Sequence, residues 1–182
     1  MVRQNNSHGI TDRIILSDSS MSECIDLQII CESWVDKVLI EGSEFESNYI
    51  YNCLTKGDLP PIPNAKKSLY RLKSIYLKHS HELIGFTDLY FGYPTNDTAW
   101  VSIFIIREKF RNNGYAQEAI AILTEECKLL GYKKIGIGVY LKNWRALRFW
   151  TKVGFDKVTS ISGDKDYSEN NFARIGLEKN LN

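Results

Sequence analysis

The chain has 182 residues and a formal net charge of +1, enough for one domain with a substantial core. A pI near 7.6 leaves no basic footprint for nucleic acid. No segment approaches the roughly 20 apolar residues of a membrane span, and Met1 to Gly9 is polar, without the apolar run of a signal peptide. These bounds predict a cytoplasmic protein, one domain over residues 1–182, with residues 1–9 as a disordered tail. Cys24, Cys31, Cys53 and Cys127 show no Cys-x-x-Cys spacing and read as free thiols. His8, His79 and His81 are scattered, so no metal site is expected.

In chain order, Arg13 to Leu16 predicts a first strand. Ser19 to Glu23 carries helix-start chemistry, and Ile25 to Ile40 has apolar residues for one or two helices. A short helix is predicted over Glu44 to Leu54. Gly57 to Asn64 holds three prolines, which remove donors and fix φ, and reads as an irregular loop. Strands follow at Tyr70–Leu77 and Leu83–Phe91, joined by a histidine-bearing turn, and Gly92 to Thr98 reads as another turn. Trp100 to Ile106 is an almost unbroken apolar run and predicts a continuous buried strand. These three strands form a meander. Ala116, Ala119, Ile120, Leu123, Cys127 and Leu130 recur at helical spacing. A strand over Lys133 to Leu141, a helix from Asn143, and strands near Asp156–Ser162 and Phe172–Leu177 complete the chain. The strand–helix–strand passage places one parallel pair in an otherwise antiparallel sheet.

The junction at Arg111-Asn112-Asn113-Gly114-Tyr115-Ala116 turns a strand into a helix through small residues. Backbone N–H groups at such a helix start have no intrahelical partner and stand on the positive end of the helix dipole. That makes a phosphate site, with Arg107, Lys109 and Arg111 beside it; a merely structural turn would look similar. A second block, Asn143 to Phe155, contains Asn143, Ala146, Phe149, Trp150, Gly154 and Phe155. Together the two blocks resemble the GNAT superfamily of acetyl-CoA-dependent N-acetyltransferases. That family carries Arg/Gln-x-x-Gly-x-Gly/Ala at a strand-to-helix turn, then Asn-x-x-Ala-x-x-aromatic-aromatic and Gly-Phe. The resemblance covers about residues 84–155.

The resemblance implies a mixed α/β fold: a twisted, mostly antiparallel sheet with one splayed parallel strand pair and helices on both faces. It implies acetyl-CoA as cosubstrate, with no metal, and transfer of acetyl to a primary amine, on a small molecule or a peptide N-terminus, by direct attack in a ternary complex. The pantetheine arm would pair with the backbone of Phe104, Ile105 and Ile106. The phosphates would fall on Arg111, Asn112, Asn113, Gly114, Tyr115, Ala116 and Gln117. Asn143 and Trp150 would also contact the cofactor, and Asn143 also suits a helix N-cap. The expected partners are acetyl-CoA and an amine acceptor, with a homodimer left open. A non-catalytic acetyl-CoA-binding module would share the phosphate turn.

The chain departs from the family at its catalytic positions. The tyrosine that often serves as acid is here Trp150, whose indole N–H donates a hydrogen bond but not a proton. The strand position that holds a glutamate in some relatives is Gly138. Tyr140, on the same strand face, is therefore a candidate acid. Asp88 is a candidate general base, because a carboxylate sharing a strand face with Ile84, Phe86 and Tyr90 should have a raised pKa. Gly136 and Gly138 leave that face of their strand bare, for a ligand or for tight packing. The segment Glu41 to Tyr51, with Asp58 following, interleaves carboxylates and aromatics. That suits a cationic amine, or a solvated helix face.

Overall fold

A computed structural model of the protein describes residues 9–181. The tail expected over residues 1–9 lies outside them except for Gly9, which is paired in a strand. Among the described residues nine strands form one sheet: β1 (Gly9–Ile10), β2 (Ile14–Asp18), β3 (Tyr70–Leu77), β4 (Leu83–Phe91), β5 (Thr98–Val101), β6 (Phe104–Ile106), β7 (Lys134–Tyr140), β8 (Lys157–Gly163) and β9 (Ala173–Asn180). Their order is β1-β2-β3-β4-β5-β7-β9-β8, with β6 also on β4. Every pair is antiparallel except β5 with β7. Five α-helices among these residues accompany it: α1 (Cys24–Glu32), α2 (Lys37–Glu41), α3 (Tyr49–Thr55), α4 (Tyr115–Leu129) and α5 (Trp144–Lys152).

Local chemistry explains several boundaries. The Glu23 carboxylate accepts hydrogen bonds from the N–H and the hydroxyl of Ser20, which fixes the turn leading into α1. α2 stops at Gly42, whose φ of 83° is left-handed. The helix expected from Glu44 begins only at Tyr49. The side-chain oxygen Oδ1 of Asn143 accepts from the N–H of Ala146, so Asn143 does cap α5.

The core divides by sheet face. One side packs Ala119, Ile120, Leu123 and Cys127 of α4 and Trp150 of α5 on Ile135, Ile137 and Val139 of β7. The other packs Leu27, Ile30 and Cys31 of α1 and Ile50 and Cys53 of α3 on Leu72, Phe86 and Tyr90. Lys73 is fully buried and is ion-paired with Asp18 and with Glu126 of α4, each at 2.9 Å. Among the described residues no helix is long and apolar enough to cross a membrane.

Three expectations are corrected. Leu141, expected to end its strand, lies beyond β7 and is exposed. Ile84 does not share a face with Phe86 and Tyr90. A register shift between β3 and β4 at Ile75/Tyr76 turns Ile84 into the α4 side, while Phe86 and Tyr90 stay on the α1 side. The run from Trp100 to Ile106 is not one strand: it breaks at residues 102–103 into β5 and β6.

Candidate active site

β5 and β7 run side by side from Thr98/Lys134 to Val101/Ile137. Beyond that point they part: β6 continues along β4, and β7 continues along β9 through Gly138, Val139 and Tyr140. A gap opens between them, and two cavities meet across it. The larger, about 870 Å³, is lined by β6, the turn before α4 and one face of α5. The smaller, about 330 Å³, reaches the loop between α2 and α3. Trp34, Phe104, Asn143, Ala146 and Trp150 line both.

The backbone decides which groups face the gap. Arg107 N–H donates to the Ile84 carbonyl and Asp88 N–H to the Ile103 carbonyl. With Phe86 opposite Ile105, antiparallel alternation makes that pair the hydrogen-bonded one. Ile105 thus turns its backbone groups to β4, contrary to the contact expected of it with an incoming arm. Phe104 and Ile106 turn theirs to the gap, where Arg111 Nε already donates to the Ile106 carbonyl at 2.9 Å.

At the turn before α4, Asn112 (φ 63°) and Gly114 (φ 84°) are both left-handed, which curls successive amides toward one spot. Among the described residues, no protein group takes up the N–H of Asn112 through Gln117; the first helical bond is from Glu118 to the Gly114 carbonyl. Arg111, Asn112, Gly114, Tyr115, Ala116 and Gln117 all line the larger cavity, and Arg145, Arg148 and Lys152 of α5 add cations to it. Unpaired amides, a helix N-terminus and these cations suit a ligand that carries several phosphates. Asn113 does not line the cavity. Its side chain donates to the Arg111 carbonyl, and its own carbonyl accepts from Arg13.

Arg13 is a residue that sequence reasoning missed. It ion-pairs with Glu118 in the first turn of α4 and lies 4.9 Å from the Tyr115 ring centroid. It bolts the turn to the β1–β2 hairpin from about a hundred residues away, and no local pattern announces that. Trp34, a lone aromatic between α1 and α2, was missed for the same reason.

In the smaller cavity, Glu41, Glu44, Glu46 and Asp58 stand among Trp34, Phe45 and Tyr49. Lys37, which also lines it, is engaged: Nζ is 3.2 Å from Glu41 and donates to the Ser43 carbonyl. Negative charge is therefore in excess there. Tyr49 donates to Asp58 at 3.1 Å, and burial holds its hydroxyl far above the usual phenol range. Tyr140 and Gly138 line this cavity, and Arg174 lies 5.6 Å from the Tyr140 ring centroid. Gly136 does not. A Cβ there would meet the Trp100 indole at 2.8 Å, so that glycine serves packing.

Asp88 lines neither cavity. It is fully buried, and Oδ1 accepts the N–H of both Ser102 (2.8 Å) and Ile103 (3.0 Å). Oδ2 has no partner among the described residues. The Tyr70 hydroxyl is near enough to lower the Asp88 pKa but does not meet hydrogen-bond geometry, and it too is unpartnered there. The base expected to face the reaction is thus walled off from it. Burial raises the Asp88 pKa from an ordinary 3.8 to about 7, against the lowering pull of the two amides. The unfolded chain therefore releases this proton at lower pH than the folded one. The favourable contribution is full below the unfolded pKa and is lost as pH rises toward the folded one. Asp88→Asn, which cannot ionise, should gain stability relative to wild type between pH 4 and pH 8 in denaturant melts. A difference that stays constant over that range would contradict this.

The splayed parallel pair thus carries an amide-lined, cation-rich turn on one side and an acidic cavity on the other. Residues 45–155 match the acetyltransferase (GNAT) family, and the chain belongs to it. It is 27% identical over 67 residues to the uncharacterized N-acetyltransferase YycN of Bacillus subtilis (strain 168). That match spans 37% of this chain and 43% of the relative. Among solved structures, an acetyltransferase from Thermus thermophilus superposes with a TM-score of 0.67 at 19% identity, over 96% of this chain and 99% of the other. A spermidine N-acetyltransferase from Vibrio cholerae, in complex with CoA and spermine, gives 0.72 at 13%, over 94% and 97%.

Proposed function

We propose that the protein transfers acetyl from acetyl-CoA to a cationic primary amine by direct attack in a ternary complex. The observation that carries this reading is the meeting of two oppositely charged cavities across the strand gap. Acetyl-CoA supplies an activated acetyl thioester whose thiolate, with an ordinary pKa near 8.5, is already a fair leaving group. Phosphates would rest on the amides of residues 112–117 and on Arg111, Arg145 and Arg148. Phe104 and Ile106 offer backbone groups to an extended arm in the gap. Asn143 spends its side-chain oxygen on capping α5, which leaves its amide N–H₂ to donate at the junction. The relative with CoA and spermine supports this fold holding cosubstrate and amine together.

Proton handling falls to the smaller cavity. Asp58, oriented by Tyr49, anchors the ammonium, which sheds one proton to water in the cavity. The free amine attacks the thioester carbonyl carbon, the carbon–sulfur bond breaks, and the Tyr140 hydroxyl gives its proton to the thiolate while taking up the second proton from nitrogen. Positioning supplies the larger share of the rate, so absence of the family's tyrosine at position 150 and glutamate at position 138 is tolerable.

Thiol release from acetyl-CoA over a panel of mono- and polyamines, amino acids and amino-terminal peptides tests the reading. Cationic amines with an apolar body should turn over fastest. Asp58→Asn should raise the amine KM by about tenfold or more, as loss of one charge-assisted hydrogen bond does, with acetyl-CoA affinity unchanged. Stabilisation by CoA without thiol release from any amine would instead favour a binding module.

A further inference from the structure

We infer that Asp88 is a positioning residue: its carboxylate holds the strand break that turns Phe104 toward the junction of the two cavities. Only the kinetic arm of the test below rests on the acetyl-transfer reading.

Nothing in the run from Trp100 to Ile106 breaks a strand locally; it contains neither glycine nor proline. The break is imposed from β4, and the register shows how. Tyr90 pairs with Trp100, and Thr87 pairs with Phe104. Two residues, Asp88 and Leu89, separate these pairs on β4. Three residues, Val101, Ser102 and Ile103, separate them on the other strand. One extra residue is the signature of a β-bulge. In a regular strand consecutive N–H groups point to opposite edges. Here the amides of Ser102 and Ile103 converge on the single Oδ1 of Asp88. The grip has a second half: the Asp88 N–H (3.2 Å) and the Thr87 hydroxyl (2.8 Å) both donate to the Ile103 carbonyl.

The consequence is a change of face. A one-residue shift inverts every following side chain. Ala99 and Val101 pack on the α4 side, whereas Ile103 and Ile105 pack on the α1 side. Phe104 is thereby turned toward α5, with its ring centroid 6.1 Å from Phe149 and 5.7 Å from Trp150. Without the bulge, Phe104 would take the α1 face, and its N–H would turn from the gap toward β4. Complete burial and engaged Oδ1 fit a group that shapes the wall rather than one that meets substrate.

The test compares Asp88→Asn with Asp88→Ala in the full chain. An asparagine oxygen can still accept both amides, while alanine leaves them unpaired. Three readouts are taken: hydrogen exchange at Ser102 and Ile103, CoA affinity by calorimetry, and thiol release from about pH 6 to 9. Asp88→Asn should keep the amide protection and the CoA affinity, and its rate should fall by less than about tenfold. Asp88→Ala should lose the protection, bind CoA about tenfold more weakly and turn over about a hundredfold more slowly, the usual cost of an ångström of misplacement. The inference is overturned if Asp88→Asn loses about a hundredfold at pH 7 with CoA affinity intact and recovers as pH rises; Asp88 would then be the base. It is equally overturned if Asp88→Ala folds and retains protection and rate. Should alanine fail to fold, the asparagine variant decides alone. If wild type binds CoA but acetylates nothing, the acetyl-transfer reading fails, while exchange and calorimetry still judge Asp88.

Discussion

Gly114→Val is expected to abolish the thermal stabilisation that CoA confers while leaving the protein folded. Gly114 sits at φ 84°, in the left-handed region where a β-branched residue is strongly disfavoured. A Cβ there would also come within 3.0 Å of the Arg13 guanidinium, which is tied to Glu118 and to the Asn113 carbonyl. Forcing valine into that conformation costs about 1–3 kcal/mol, a strain the turn can shed by unwinding toward a normal φ. The amides of residues 112–117 would then diverge instead of converging. In wild type, CoA at about 100 times its Kd adds about 2.7 kcal/mol. For a domain of this size that corresponds to a rise of roughly 5–10 °C in Tm. Thermal melts of both proteins with and without millimolar CoA provide the check. A Gly114→Val protein that folds and keeps the full shift would remove the phosphate site from this turn.

Trp150→Ala should be the most damaging single truncation at the cavity junction, and Trp150→Phe one of the mildest. The indole is 4% exposed and packs 4.8 Å from Phe155, 5.2 Å from Phe149 and 5.7 Å from Phe104, measured between ring centroids. Emptying that space costs about 3–5 kcal/mol and removes the wall that Phe104 leans on, so urea midpoints and thiol release should fall together. Phenylalanine keeps an aromatic body. An indole does not act as a proton donor in catalysis, so the phenylalanine variant should stay within about tenfold of wild type, below the 10²–10⁴-fold that a general acid typically supplies. A loss beyond about a hundredfold with an unchanged midpoint would reveal a specific duty of the indole N–H.

The two motif blocks were legible in the sequence because each is local. Arg111 to Ala116 and Asn143 to Phe155 carry their turn, cap and helix chemistry within a few residues, and both fold as read. Periodicity likewise placed β3, β4, α4 and β7 close to their observed bounds, since alternation and helical spacing need no distant partner. The break at Ser102–Ile103 was invisible. Its cause is a carboxylate on another strand, and seven residues rich in strand formers show no local trace of it. The same bulge decides which faces Phe104 and Ile105 take, and a second irregularity between β3 and β4 inverted the expected face of Ile84. Asp88 was noticed for the right reason, a carboxylate among apolar neighbours. Whether it faces a cavity or a pair of amides depends on a packing direction that composition does not encode. Arg13 and Trp34 reach the site from far along the chain and entered only once the fold closed. Side-chain periodicity fixes which elements form, whereas register and long-range hydrogen bonds choose which of their groups meet.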